Sequence, residues 1–548
     1  MTKNKPKANP ALNAVTVALN LNGMDEVNLN PIDYLDPKIK QDVSAAMEKN
    51  GGKISRDVLS GVIEAILQSH VRMVRTSISA HYLILDENKY KCMDINFHKE
   101  SDFTMLMSDL AGRYTDSFVS PEQILPLMSK FRVDLKLRQK PVEVEKRRAG
   151  SVMDTVYLDL GGGMVAAITK EGVTVAPNSE MPVLFKTFDS DSELPEPDLD
   201  NPNVSLLFKY INLTDERQQM MMITILCFII AGEEGYPIVF FTGTAGSGKT
   251  EAARLCISLV DNSAALLRRF SEKYEDFYLA CHNKHVVGYD NVTDIQKGFM
   301  DMLCLAVTNG HVTRRQLWEN TKEVQIQLSN PIFMTAIQLP KLPPDVVDRA
   351  IYLNFERFSD EERKTKTQLY AEFASDASAI FGGLLTLISR TMAVLVDFKP
   401  AQTARLADFS IFGQAMAIAM GKQPEDFLNA HRMSESIMSS EAIENEAILE
   451  PLLKFVNRLT DDEWIGTASE LEKLIKPANA GATWPKSAGH FGRTLAKHKI
   501  TLVNYGVDVL SFHHSQRRAL KVTRLPHFQS TPVPKSSPPP KKAGRVHR

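Results

Sequence analysis

The chain has 548 residues, 43% hydrophobic and 24% charged, with 28 glycines and 28 prolines. That excludes a wholly disordered or collagen-like polypeptide and leaves room for several domains. The formal net charge of −2 hides a polarity: the last 86 residues hold fifteen Lys and Arg against four Asp and Glu, a net of +11, leaving −13 on residues 1–462. A near-zero total therefore does not exclude a nucleic-acid partner, because one end is strongly basic.

Five cysteines, Cys92, Cys227, Cys256, Cys281 and Cys304, are widely spaced, odd in number and without a CxxC pair. This usage suits a reducing cytosol better than a disulfide framework or a zinc site. The basic start MTKNKPKANP lacks the apolar core of a signal peptide. The most apolar run, Met220–Ala231, is twelve residues long, where a membrane span needs about 20. The expectation is a cytoplasmic protein with no membrane partner.

Residues 1–30 are polar and Asn-rich and read as a mobile arm. Residues 31–150 mix helices and strands. Ser55 caps a helix carrying Val58, Val62, Ile63, Ile66 and Leu67 on one face. Tyr82–Leu85 and Tyr90–Met93 flank a turn, and Ser120-Pro121-Glu122-Gln123 starts another helix. This α/β module shows no catalytic constellation, and no acidic metal triad for primer synthesis is evident in residues 1–200. Residues 151–203 form a small β module, with strands at Thr155–Leu160, Met164–Thr169, Gly172–Val175 and Val183–Lys186, followed by an acidic, proline-bearing linker, Phe188–Asn203. Gly161-Gly162-Gly163 between two of those strands is either a hairpin turn or a nucleotide-binding loop.

From 204 to 356 helices alternate with buried strands: a helix from Thr214 to about Ala231, then strands Pro237–Phe241, His285–Tyr289 and Pro331–Ile337. That alternation predicts a mainly parallel sheet covered by helices. From 357 to 460 strand signals vanish and helices dominate, as at Ala377–Leu395.

The chemistry begins after the first of these strands. Gly243-Thr244-Ala245-Gly246-Ser247-Gly248-Lys249-Thr250 is G-x-x-x-x-G-K-[ST], the Walker A loop. Its glycines let backbone N–H groups turn onto phosphates. Lys249 reaches the β- and γ-phosphates, Thr250 ligates Mg²⁺, and the following helix presents its positive end. Such a loop needs a second carboxylate for the metal. Val286-Val287-Gly288-Tyr289-Asp290 is an apolar strand ending in that role. The next residue is Asn291, which can orient a water but not take its proton. Thr335 ends the following strand, either as a γ-phosphate sensor or as a capping residue. Arg349 trails it, either as an arginine finger for a neighbouring subunit or as a local ion-pair partner. Between the strands, His311–Leu328 reads as an inserted hairpin.

In this order of motifs the chain resembles the AAA+ ATPases of superfamily 3 helicases, and in particular the primase-helicase-type ATPases of phages, plasmids and integrated mobile elements. The similarity takes in Val156–Leu160, Glu193–Pro197, Arg405–Phe409 and Trp464–Ala468 besides the ATP motifs. It implies an α/β fold: an AAA+ P-loop ATPase core with an inserted β-hairpin and a helical lid, preceded by the two N-terminal modules. By resemblance Gly243 to Thr250 match the ATP loop and Asp290 the magnesium aspartate. Arg315 matches a hairpin arginine, Arg349 the finger, and Arg405, opening a lid helix, a second phosphate sensor. Thr335 stands where these helicases usually have asparagine.

Residues 461–525 change character again. Thr467-Ala468-Ser469-Glu470 is a capping box, Ser487 starts a second helix, and strands Val507–Phe512 and Ala519–Val522 flank a basic tip. Two helices and a basic hairpin suggest a winged helix, one that either docks DNA through Arg493, Lys497, Lys499, Arg517 and Arg518 or docks a protein. His513-His514 lack a third ligand nearby and read as wing surface rather than metal site. Residues 526–548 read as a disordered basic tail.

The expected function is an ATP- and Mg²⁺-dependent DNA helicase or replication initiator of a phage-like mobile element. It would act as a self-assembled ring, a hexamer, with Arg314, Arg315 and Lys322 along one DNA strand in the pore and other replication proteins as partners. The alternative is a nucleotide-controlled DNA-binding switch or defence ATPase that does not unwind.

Overall fold

The computed structural model describes residues 36–526, except 76–79, 87–88, 96–99, 138–144, 189, 233, 309, 316–322, 360, 362, 446–447, 478–483 and 515–516. The arm at 1–30, and all but the first residue of the tail at 526–548, lie outside the described residues. The chain divides into two units. One runs to Pro340 and resumes over Asp348–Ser434; the other comprises Lys341–Val347 and the chain from Glu435.

The first unit opens with α1 (Pro37–Lys49) and α2 (Arg56–Ser69). Asp36 caps α1 by accepting from the amides of Lys38 and Ile39, and Ser55 caps α2 by accepting from Val58. A three-stranded antiparallel meander follows: β1 (Val71–Arg75), β2 (Ala80–Asp86) and β3 (Lys89–Asp94). β1 carries no turn signal at its start and was not expected from the sequence. Helices α3 (Asp102–Thr115) and α4 (Pro121–Leu137) complete this module. Val62, Ile63 and Ile66, the expected apolar face of α2, are buried with Met107 and Leu110 of α3.

Next come β4 (Glu145–Lys146), β5 (Ala149–Val152), β6 (Thr155–Gly161), β7 (Met164–Thr169), β8 (Gly172–Pro177) and β9 (Leu184–Phe185). β5 to β8 form an antiparallel meander, and Gly161–Gly163 make the turn between β6 and β7. The stretch Phe188–Asn203, linker-like in composition, runs along the core instead. Leu194 is buried and donates its amide to Leu160, while Asp198 and Asn203 donate to the carbonyls of Ser378 and Ala379. A glycine pair makes this possible: a Cβ on Gly382 would sit 2.0 Å from the Asp198 carbonyl oxygen, and one on Gly383 would sit 2.5 Å from the Val204 nitrogen. Mid-helix glycine costs roughly 0.5–1 kcal/mol relative to alanine; here it admits a neighbouring backbone.

The core of the unit contains α5 (Glu216–Ala231), β10 (Ile238–Thr242), α6 (Lys249–Ser258), β11 (Arg268–Arg269), α7 (Tyr274–Asn283), β12 (Val287–Asp290), α8 (Lys297–Val307), β13 (Gly310–Arg315), β14 (Glu323–Leu328), β15 (Ile332–Ala336) and β16 (Ala350–Asn354). Five of these strands form one sheet in the order β11-β12-β15-β10-β16, parallel throughout. All five residues of β10 and of β15 are buried. Continuous apolar runs are what a parallel sheet covered on both faces requires. The outer edge of β16 is closed by side chains: Ser434 Oγ accepts from the Tyr352 amide at 2.7 Å and Gln218 Oε1 from that of Asn354 at 2.7 Å. β13 and β14 pair only with each other, as an antiparallel hairpin between α8 and β15.

Behind the sheet lies α5, buried continuously from Met220 to Ile230. Against it packs α9 (Lys366–Leu395), which is long and apolar enough by composition to cross a membrane; it buries Ile380, Phe381, Leu384, Leu385 and Ile388 in the core. α10 (Ala407–Ala419) packs on both, and α11 (Pro424–Asn445) carries the chain out of the first unit. One buried charge cluster ties the β module to the core. The Arg148 guanidinium, 1% exposed, lies 3.4 Å from Asp261 Oδ1 and 3.7 Å from Asp159 Oδ2, and donates to the carbonyls of Ser192 and Asn262. Asp261 in turn accepts from the amides of His285 and Val286, at the entry to β12.

The second unit contains α12 (Leu449–Asn457), β17 (Glu463–Gly466), α13 (Ala468–Ile475), α14 (Ala488–Lys497), α15 (Lys499–Asn504), β18 (Val507–His514) and β19 (Arg517–Arg524). Its antiparallel sheet has the order β17-β19-β18. The expected capping box at α13 forms between Thr467 and Glu470. Leu471, Phe491, Leu495, Leu502, Val507 and Val522 share one core.

Candidate nucleotide-binding site

β10 ends at Thr242, and the chain turns at once into the glycine loop before α6. Gly243, Gly246 and Gly248 have φ of 146°, 84° and 75°, values an L side chain rarely adopts. The first glycine has a second constraint: a Cβ there would lie 2.4 Å from the Phe355 carbonyl oxygen and 2.7 Å from Ser247 Oγ. The Ser247 amide donates to the Thr244 carbonyl at 3.2 Å, closing the turn, and α6 starts at Lys249. The loop N–H groups and the positive end of α6 therefore converge, a ready site for phosphate. Lys249 is buried, its Nζ 3.5 Å from the Thr244 carbonyl. Burial pulls its ammonium below the ordinary lysine value, while Asp290 opposes that shift.

Across the mouth of the loop sits one carboxylate with two hydroxyls. Thr250 Oγ1 donates to Asp290 Oδ1 at 2.9 Å, and Thr335 Oγ1 donates to the same oxygen at 2.6 Å. Thr335 also accepts from the Asn291 amide at 2.8 Å, and its carbonyl accepts from Val292. The parallel register makes this cluster: Phe241 lies beside Thr335 and Tyr289 beside Met334, so the carboxyl ends of β10, β12 and β15 meet. Ligands of open parallel sheets bind outside those ends. Thr335 is fully buried with its hydroxyl engaged on both sides, so in this arrangement it orients Asp290. Asn291 has φ of 55°, a left-handed conformation that asparagine tolerates better than most residues. The donor set fits magnesium, a hard ion that takes oxygen ligands, few of them from protein, and keeps several waters. Among the described residues no group of three or more His, Cys, Asp or Glu is placed to hold a metal ion.

The other expected residues lie elsewhere. The Arg349 carbonyl accepts from Ile238, the first residue of β10, and its Nη1 lies 4.0 Å from Cys304 Sγ on α8. It is therefore at the end of the sheet opposite the loop. Arg405, expected as a phosphate sensor, is not brought to the loop of its own chain: it is exposed just before α10, whose Asp408 approaches Gly235, ahead of β10. The correction has a topological reason, since α10 packs on α5 near the amino ends of the strands. In the hairpin, Arg315 pairs in register with Glu323 and Arg314 with Val324, next to the tip; Lys322 lies outside the described residues. In the second unit Arg493 is exposed on α14 and Lys497 ends that helix. Arg517 and Arg518 open β19 opposite His514 and His513. Lys499, expected on DNA, has a local partner, with Nζ 3.7 Å from Asp508 Oδ1.

One part of the site was missed. The chain leaving β16 crosses the glycine loop before entering α9. Phe355 donates its amide to Thr242 at 2.8 Å, just ahead of the loop. Beyond the loop, Glu251 receives Lys366 Nζ at 2.5 Å and the Tyr370 hydroxyl at 2.5 Å. Between these anchors, a Cβ on Gly248 would lie 2.8 Å from Phe358 Cε2, and one on Gly246 would lie 3.7 Å from Arg363 Nη2 and 3.9 Å from Arg357 Nε. Arg357 follows an apolar strand by three residues, which is no signal in itself; its meaning depends on β16 being the neighbour of β10.

Residues 204–436 match a family model described as an actinomycete integrative conjugative element replication protein. Residues 448–537 match one described as the AICE RepA C-terminal domain. In this order along the chain, the two matches show a replication protein of an integrative conjugative element. No curated protein matches the chain. Among solved structures, the apo NrS-1 C-terminal region (305–718) is 13% identical, with a TM-score of 0.36, over 85% of this chain and 98% of that one. An A-form apo structure of the same region is 14% identical, with a TM-score of 0.35, over 84% and 98%. A JCV helicase bound to a substituted acetamide is 13% identical, with a TM-score of 0.21, over 38% and 67%.

Proposed function

From the premise of a replication protein of an integrative conjugative element, we propose that the chain is an ATP-dependent DNA helicase or replication initiator of a phage-like element, working as a ring of its own copies. The observation that carries this reading is Asp290 held between the hydroxyls of Thr250 and Thr335 at the mouth of a glycine loop. The loop N–H groups from Gly243 to Thr250 and the Lys249 ammonium bind the phosphates. Thr250 and Asp290 would hold Mg²⁺, which when bound neutralises phosphate charge and orders the phosphate oxygens. Thr335 keeps Asp290 turned toward that position.

Arg349 cannot serve the loop of its own chain, because a five-residue strand separates them by about 15 Å. It is suited to the nucleotide of a neighbouring subunit, as an arginine finger, which requires assembly, with a hexamer as the closed ring. The hairpin residues Arg314, Arg315 and Lys322 would track one strand in the pore. The second unit has the element order of a winged helix. Its Arg493, Lys497, Arg517 and Arg518 would hold duplex DNA, with other replication proteins docking on the assembly.

Forked-DNA unwinding tests the reading: ATP-dependent strand separation that Lys249→Ala abolishes supports it. ATP binding without unwinding, under conditions that give rings, sinks it. A second reading, a nucleotide-controlled DNA-binding switch that never unwinds, is favoured by Asn291, an amide where a base would follow Asp290. Nucleotide-dependent DNA affinity with negligible hydrolysis would select it.

A further inference from the structure

The triphosphate of the proposed ligand carries more negative charge than Lys249 and one divalent ion balance, and Asp290 adds to the deficit. Arg349 lies at the far end of the sheet, and Arg405 stands exposed before α10, whose Asp408 approaches Gly235 ahead of β10. The site of a single chain therefore needs another cation, and the crossing between β16 and α9 carries two guanidinium groups over the loop. We propose that Arg357, assisted by Arg363, binds the nucleotide phosphates within the same chain, and that Phe358 is a positioning residue that holds the loop backbone beneath them.

Three observations lead there independently of the loop motif. Arg357 Nε and Arg363 Nη2 both lie within 4 Å of where a Gly246 side chain would begin. Phe358 packs its ring edge on Gly248, the residue before Lys249, so that any side chain there would collide with it. The crossing is also tied down on both sides of the loop, by Phe355 to Thr242 and by Lys366 and Tyr370 to Glu251. Two anchors bracketing the loop pre-pay the ordering of the arginines, so their hydrogen bonds to phosphate are worth more than those of free surface side chains. Guanidinium suits the task because its planar fork pairs with two phosphate oxygens at once. Glu356 and Glu361 are on the same crossing and exposed, so bulk attraction of anions is not its property; the placement of two guanidinium groups is.

This inference rests on the nucleotide reading above, and its test separates the two. The full-length protein is titrated with a fluorescent ATP analogue and Mg²⁺, at a concentration below assembly. Wild type is expected to bind, and Lys249→Ala to lose binding. Arg357→Ala should weaken binding roughly tenfold to a hundredfold, as loss of one charge-assisted hydrogen bond predicts. Arg363→Ala should weaken it less, and Arg357→Lys should recover part of the loss. Lys364→Ala is the control, because Lys364 Nζ already pairs with Glu372 at 2.5 Å; it should bind like wild type. Arg357→Gln, nearer in size, guards against a folding defect, and thermal melting of each variant checks for one. Wild-type affinity in Arg357→Ala, Arg357→Gln and Arg363→Ala, with binding still lost in Lys249→Ala, overturns the inference and leaves the nucleotide reading standing. A wild-type chain that binds no ATP overturns both.

Discussion

Thr335, at the end of one strand, donates its hydroxyl to Asp290, at the end of the next, over 2.6 Å. The same carboxylate oxygen accepts from Thr250 of the glycine loop. Two strand ends and the first turn of α6 thus share one oxygen atom, and the orientation of the Asp290 carboxylate depends on a residue 45 positions away in the chain.

Thr335→Val keeps the buried shape and removes the donor. Magnesium-dependent ATP binding is expected to weaken several-fold, while binding measured without magnesium changes little. The Asn291 amide loses its acceptor too, so unfolding free energy should fall by about 1–3 kcal/mol. Titration with and without the metal, beside urea denaturation, checks both. Equal losses with and without magnesium would show that Thr335 acts on phosphate instead.

Asn291→Glu tempts as a restored catalytic base. The left-handed backbone at that position costs a residue other than glycine or asparagine about 1–2 kcal/mol. The variant is expected to be less stable and no faster, and Asn291→Gly to keep wild-type stability. A faster, equally stable glutamate variant would falsify this account of the position.

Lys249 gives a pH signature. In the free protein burial lowers its proton affinity and Asp290 partly offsets that; bound phosphate raises it again. At a pH between the free and the phosphate-bound titration of Lys249, nucleotide binding should take up a proton, and well below both it should take up none. In the same window the unfolded chain holds more protons than the folded one, so the penalty for burying Lys249 fades as pH rises. Binding heats in two buffers of different ionisation enthalpy measure the uptake. Proton release would contradict the sign.

Arg349→Ala should leave ATP affinity below assembly within about twofold of wild type, because the residue is remote from its own loop. Turnover of the assembled protein should fall by roughly a thousandfold or more. A loss of affinity in the monomer, or turnover that survives, would remove the residue from a shared site.

Arg148→Ala strands Asp159 and Asp261 as buried carboxylates without their cation. Removing one partner of a buried ion pair typically costs about 3–5 kcal/mol, and Asp261 holds the amides that start β12. Denaturant unfolding should show a loss of that size. A loss below about 1 kcal/mol would mean that the cluster is not what ties the β module to the core.

Local chemistry was enough for much of this protein. The glycine loop and Lys249-Thr250 are legible because phosphate binding demands contiguous residue types. Asp290 is legible because an apolar run ending in a carboxylate states its own end, and the caps at Ser55 and Thr467 because they act over three residues. The basic and acidic segments could be counted directly. Other features depended on strand order. That β16 neighbours β10 puts Arg357 over the loop, and that α10 packs by the amino ends of the strands keeps Arg405 away from it. An acidic, proline-bearing stretch lies against α9 because two glycines leave room for its backbone. Composition and spacing describe a residue's neighbours along the chain, whereas a parallel sheet joins elements through crossovers whose order no local pattern encodes. The sequence by itself determined the glycine loop and the Lys249-Thr250 pair on which the nucleotide reading rests; only the tertiary structure decided which arginines stand within reach of that loop, because that distance is set by strand adjacency rather than by position in the chain.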